Sequence, residues 1–230
     1  MTERRKWTAI PGLLALAIGA VMLSAYSGAS SSQHRSPVQP INFPHPVHVQ
    51  KLGMNCLYCH NAANKSMDPG LPAVATCIGC HSMVGPERPA SDLGPKRHSE
   101  EIAKLWKYAD VAGQGAPMGP NAKPIPWERI HKLPEYVHFP HTRHVNAGVT
   151  CQSCHGQIQN MDRVYQFSSL NMGWCVSCHV NGYSAKEGLE AAGYTAQQQA
   201  TPAAAGAVAP ADVQSGERKK ARYDCANCHY

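Results

Sequence analysis

No charged side chain occurs from Trp7 to Ser32, and the apolar part of that stretch runs from about Thr8 to Tyr26. Such a run is close to the ~20 residues a helix needs to cross a bilayer. Arg4, Arg5 and Lys6 stand before it, so the basic flank predicts a single span with the rest of the chain exported. The competing reading is a cleaved signal peptide with a site at Ala25-Tyr26-Ser27, and Pro11-Gly12 weakens the helix start. The apolar run is longer than the ~7–15 residues usual in a signal peptide, which favours an anchor. Helical periodicity returns clearly once, from Ser99 to Val111. There Ser99 can cap, Glu100 and Glu101 occupy the first turn, and Ile102, Leu105, Trp106 and Ala109 form one apolar face. That face predicts packing against a prosthetic group or a partner. Elsewhere apolar positions are short and interrupted by 19 Gly and 18 Pro, a pattern of loops with few long elements.

With only three Phe and four Trp, the chain is poor in large core residues. Its cysteines explain how it manages. One pentapeptide recurs five times, at Cys56–His60, Cys77–His81, Cys151–His155, Cys175–His179 and Cys225–His229, and it uses all ten cysteines. Cys-x-x-Cys-His is the attachment site of a c-type haem. Two thiols at that spacing form thioethers to the vinyl groups of one porphyrin, and the adjacent His takes an axial position on the iron. Disulfides or zinc are the alternatives for Cys-rich chains. Neither requires a His after every second Cys, and here all five copies have one. The proximal ligands are therefore His60, His81, His155, His179 and His229, on five covalent haem c groups. The predicted fold is a multihaem cytochrome c, mostly irregular with short α-helices wrapped around five haems, and one N-terminal transmembrane helix. The haems supply the apolar core.

The formal charge of +6 does not point to nucleic acid. Haem propionates offset it to about +1, and no basic run carries interleaved aromatics. No phosphate-binding loop or nucleophile constellation is present either.

A longer repeat organises the middle of the chain. Phe43-Pro-His45-Pro-Val-His48-Val precedes Cys56, and Phe139-Pro-His141-Thr-Arg-His144-Val precedes Cys151; the Phe residues are 96 positions apart and the cysteines 95. This is a duplicated two-haem unit. The resulting divisions are 1–26, n-region and anchor; 27–40, tether; 41–81, first unit; 82–126, connector; 127–182, second unit; 183–230, an extended arm with the fifth site. The arm is Ala/Gln/Pro-rich at 191–213 and is expected to lie along a surface, such as that of another subunit.

The Phe-x-His-x-x-His signature resembles the multihaem cytochrome c3 and c7 families. That resemblance implies that His45 serves the haem on Cys56 and Cys59, and His141 the haem on Cys151 and Cys154. His48 and His144 would each cross to another haem. His131 is the first choice for the fifth distal ligand, with His138, Met161 and Met172 as further candidates and His98 behind them. Met83 completes Cys-x-x-Cys-His-x-Met, a pattern in which small membrane-anchored quinol dehydrogenases place a Met at the quinol-side haem; ordinary packing is the competing role.

Two blocks carry a closer likeness: Phe43 through His81, and Trp127-Glu-Arg-Ile-His131 through His179, including Met161-Asp-Arg-Val-Tyr165 and Leu170-Asn-Met-Gly-Trp-Cys175. With the anchor and the final motif, the chain resembles the membrane-anchored pentahaem cytochrome c subunit of alternative complex III. The resemblance implies an electron-transfer subunit, not catalytic alone, that relays electrons from membrane quinol to a periplasmic acceptor. The implied partners are an iron–sulfur subunit related to molybdopterin oxidoreductases, polysulfide-reductase-type integral membrane subunits and a monohaem cytochrome c. The implied location is the cell membrane, single-pass, with the haem domain outside. The rival readings are a self-sufficient quinol dehydrogenase and a multihaem reductase with an open haem.

Overall fold

The computed structural model describes residues 3–26, 32–90, 96–195 and 216–229, with the side chains of the first helix described at 10–23. That helix, α1, is Glu3–Tyr26. Its described apolar residues project away from the rest of the chain; Leu16 and Leu23, for example, are strongly exposed. Among the described residues no helix is long and apolar enough to cross a membrane. Ser27, the last residue of the cleavage sequence, and most of the Ala/Gln/Pro segment lie outside the described residues.

The remaining helices are short: α2 (Cys56–Cys59), α3 (Val74–His81), α4 (Glu100–Ala109), α5 (His141–Asn146), α6 (Cys151–His155), α7 (Met172–Asn181) and α8 (Ala185–Ala191). A π-helical turn spans Pro46–Lys51, and 3-10 turns span Ile158–Asn160 and Cys225–Asn227. The only sheet among the described residues is β1 (Glu87–Arg88) against β2 (Arg97–His98), antiparallel with Glu87 opposite His98.

The predicted connector helix forms for the predicted reasons. The Ser99 hydroxyl accepts from Ile102 N at 3.3 Å, and Asp110 closes the helix in the left-handed conformation at φ 53°. Its apolar face packs on α3: Leu105 and Ala109 share a buried cluster with Ile41, Ile78 and Ile125, and Trp106 packs against it. Trp106 Nε1 also donates to His81 O at 2.7 Å, so the connector helix braces the second Cys-x-x-Cys-His motif directly.

Two sequence boundaries need correction. Residues 32–40 are not a free tether. His34 N donates to Gln166 O at 2.7 Å and Gln166 N to Arg35 O at 3.1 Å, while Gln39 exchanges side-chain bonds with the Glu128 backbone at 3.0 and 2.9 Å. Backbone groups that pair with a distant strand-like segment leave no periodic signature, so composition alone reads as linker. The region from 183 onward is also not extended throughout, because it begins with α8. Leu189 is fully buried in a second cluster with Ala185, Ala192 and Tyr194, against Phe167 and Tyr183. Leu189→Ala should cost about 3 kcal/mol, by lost transfer energy and the cavity left behind. Chemical denaturation of the whole chain would measure it; a loss below about 1 kcal/mol would mean the site collapses freely or is poorly packed.

Residues 216–229 return across the second unit. Tyr183 and Lys219 exchange backbone bonds at 2.9 and 2.8 Å, Arg218 pairs with Glu187 at 2.7 Å, and Lys219 Nζ reaches Ala147 O at 3.1 Å. The fifth motif thereby lies on the chain's own second unit, with Val137 bridged to His229 and His138 N donating to Cys228 O at 2.7 Å. The surface under this described part of the arm is therefore the chain's own.

Candidate haem-attachment sites

Each motif lies in a short helix: Cys56 and Cys151 open α2 and α6, Cys77–His81 closes α3, Cys175–His179 lies within α7, and Cys225 opens a 3-10 turn. Asn55 caps α2 by accepting from Leu57 N at 2.8 Å, and Asn171 caps α7 by accepting from Trp174 N at 2.8 Å. No cysteine is in a disulfide. Among the described residues no three His, Cys, Asp or Glu converge as they would around a zinc ion.

The duplicated His pairs repeat their geometry closely. Phe43 stacks on His48 with centroids 4.3 Å apart, and Phe139 on His144 at 4.3 Å. The same Phe rings meet His45 and His141 edge-on at 5.0 and 4.9 Å. His48 then faces His81, and His144 faces His179, each at 6.1 Å between centroids. Two imidazoles on opposite faces of one metal stand about 6 Å apart at ordinary metal–nitrogen distances. Both pairs therefore fit an iron between them.

The second ring nitrogens point to the same conclusion. His48 Nδ1 lies 3.3 Å from Pro44 O, and His144 Nδ1 3.1 Å from Pro140 O. A carbonyl only accepts, so Nδ1 carries the proton and Nε2 keeps its lone pair for a metal. Among the proximal residues, His81 Nδ1 is held 3.0 Å from Val84 O, His179 Nδ1 by Arg222 O, and His60 by the Gly70 backbone. His155 differs: its Nδ1 lies 3.2 Å from His131 Nε2.

The two units pack reciprocally. In the second unit, His141 N donates to Met67 O at 3.1 Å, and Asn146 Nδ2 to Asn64 O at 3.1 Å. In the first, the turn Pro46–Lys51 lies against Ile158–Asn160, and Gln50 Nε2 donates to Asn160 Oδ1. Gln50 corresponds to Asn146 at the offset of 96 that holds before the cysteines, and Asn64 to Gln159, next to Asn160, at the offset of 95 that holds after them, so each unit places its histidine segment on the loop after the other unit's first motif. At the centre the equivalent cysteines Cys56 and Cys151 meet. A hydrogen bond from Cys151 lowers the Cys56 thiol to about 7, outweighing burial. Around them, burial first, then His60 and His48, pushes His45 down to about 4. Burial first, then His141, does the same to His131, and burial takes His155 to about 3. These imidazoles are neutral at pH 7, the form that ligates metals.

Neighbouring thiols extend the line outward. Burial, then the charge of Cys56 and Cys80, raises Cys59. Burial, then Cys178 and Cys175, raises Cys154 to about 12, and burial, then Cys228, raises Cys175. The motifs thus stand in the spatial order Cys77, Cys56, Cys151, Cys175, Cys225.

The other candidates are placed as follows. Met83 is exposed, and His48 faces His81. Met172 is exposed at the start of α7, whereas Met161 is buried. His138 lies beside the fifth motif through its backbone, and the ring beside His229 is Tyr136, at 5.7 Å. His98 pairs with Glu87 in the small sheet, away from these sites. Phe43 and Phe139, which hold both histidines of each pair, are the main functional residues that ligand counting overlooks; their repetition in Phe-Pro-His was the available signal.

No protein-family model matches the chain. It is similar to the multiheme cytochrome c subunit of menaquinone reductase from Nitratidesulfovibrio vulgaris, at 28% identity over 163 residues, covering 62% of this chain and 68% of that protein.

Proposed function

We propose that the chain is an electron-transfer subunit of a membrane quinone oxidoreductase, holding five covalent haem c groups. The observation that carries this is the pair of histidine couples, His48 with His81 and His144 with His179, each spaced at 6.1 Å to take an axial metal. The similar multiheme cytochrome c subunit of menaquinone reductase supports the quinone side.

The ten motif cysteines would hold the porphyrins and the five motif histidines the proximal positions. Bound there, haem supplies one-electron chemistry, with iron alternating between Fe(II) and Fe(III). The chain's own residues set ligand orientation, burial and the order of the sites. Pro44 and Pro140 carbonyls fix the tautomers of His48 and His144, and the reciprocal packing brings Cys56 beside Cys151. His45 and His141, half-buried at that junction, are the distal ligands we assign to the two central sites. The Thr8–Tyr26 segment anchors the chain, with its haem-bearing part outside the membrane. The direction we favour is from quinol outward to a soluble acceptor, within an assembly like alternative complex III. Its iron–sulfur, polysulfide-reductase-type and monohaem cytochrome c subunits would be the partners.

Mild detergent extraction followed by native separation tests this. The haem-stained polypeptide should travel with quinol:cytochrome c activity in a large particle. Net activity only toward quinone reduction would reverse the direction. A cytochrome that separates alone and still takes electrons from quinol would replace the subunit reading by a self-sufficient dehydrogenase.

A further inference from the structure

Four of the five motif histidines have a described hydrogen-bond partner, and in three of them that partner is the chain's own backbone. His155 is the exception. Its Nδ1 meets the Nε2 of His131 at 3.2 Å, with the rings edge-to-face, centroids 4.4 Å apart at 76°. The nearly 2 Å shortfall against the 6.1 Å of the other couples leaves no room for an iron between these two rings. Contact through Nδ1 is also contact on the ring edge that His81 and His179 give to backbone carbonyls.

On the reading that the motifs hold haem, we infer that His131 is a positioning residue for the proximal ligand His155 and not an axial ligand itself. His155 Nδ1–H donates and His131 Nε2 accepts, which fixes the His155 tautomer with Nε2 free for iron. A hydrogen-bond acceptor behind a ligating imidazole raises its basicity and so favours the ferric state. His131 thus holds the midpoint potential of the Cys151–Cys154 haem down. Unlike a backbone carbonyl, this acceptor is a side chain, so the potential of one central site can be altered by substitution without touching its ligands.

The test is spectroelectrochemistry and electron paramagnetic resonance on the haem-loaded full chain, comparing His131→Ala and His131→Gln. The expected result for His131→Ala is five attached haems with the spin states of the unsubstituted chain, one midpoint potential raised and four unchanged. His131→Gln, whose side-chain oxygen can accept the same bond, should bring that midpoint back toward the unsubstituted value. A new high-spin ferric signal in either variant would make His131 an axial ligand and overturn the assignment, as would five unmoved midpoints in His131→Ala. If His131→Ala fails to fold, spin states in His131→Gln that match the unsubstituted chain uphold the assignment, and a high-spin haem absent from that chain ends it. Fewer than five haems in the unsubstituted chain would instead fault the haem reading, and haem quantitation separates the two failures.

Discussion

Replacing Cys151 and Cys154 together by alanine should remove one haem of five and divide the other four into two groups. The spatial order of the motifs places this site between the pair at Cys56 and Cys77 and the pair at Cys175 and Cys225. In the assembled particle, reduction from quinol should then be fast for two of the four remaining haems and slow for the other two. Cys225→Ala with Cys228→Ala also removes one haem, but from an end of the line, so its four remaining haems should reduce together. Intact mass establishes the haem loss and stopped-flow absorbance the phases. If both variants reduce in one fast phase, the Cys151–Cys154 site is not the middle of a linear relay.

The second large effect is expected at the crossed histidines. His48→Ala and His144→Ala should each convert one low-spin haem to high-spin, and the double variant two. The two single variants should resemble each other, because the rings around His48 and His144 match within about 0.1 Å in centroid distance. The loss should be a spectral change with haem retained, since both thioethers and the proximal His remain. Electron paramagnetic resonance of the oxidised protein distinguishes this from haem loss. An unchanged spectrum in either variant would mean that the 6.1 Å couple does not bind iron. In that case Met83 would become the leading candidate opposite His81.

What the sequence made legible follows from the range of the interactions. The five attachment motifs are local, five residues each, so their chemistry is written in consecutive letters. The connector helix was equally legible because its cap, its acidic first turn and its apolar face lie within one short segment. The positioning role we infer for His131 was not legible, for the opposite reason. Its position shortly before Phe139 suggested a ligand, but its partner, His155, is 24 residues away, and which edge of a ring it meets is a tertiary fact. Helix α8 was missed because its one large apolar residue, Leu189, acquires its burial from Phe167 and Tyr183, not from a periodic pattern of its own. The reciprocal packing was half-visible: the repeat announced two copies, yet nothing in either copy says which surface it offers to the other.

That reciprocal packing has a consequence for how such a chain can be lengthened. Each unit commits the same surface, histidine segment onto post-motif loop, to the other, in the manner of a two-fold dimer whose contact is isologous. An isologous contact is closed: once two copies have met, neither keeps a free face of that kind for a third. A further site therefore has no vacancy at the centre and must be added outside, by a different contact. The fifth motif conforms to this. It is fastened by a single strand-like bridge at Val137 and His229 and by the Lys219 segment on Tyr183, contacts that have no counterpart in the exchange between the units.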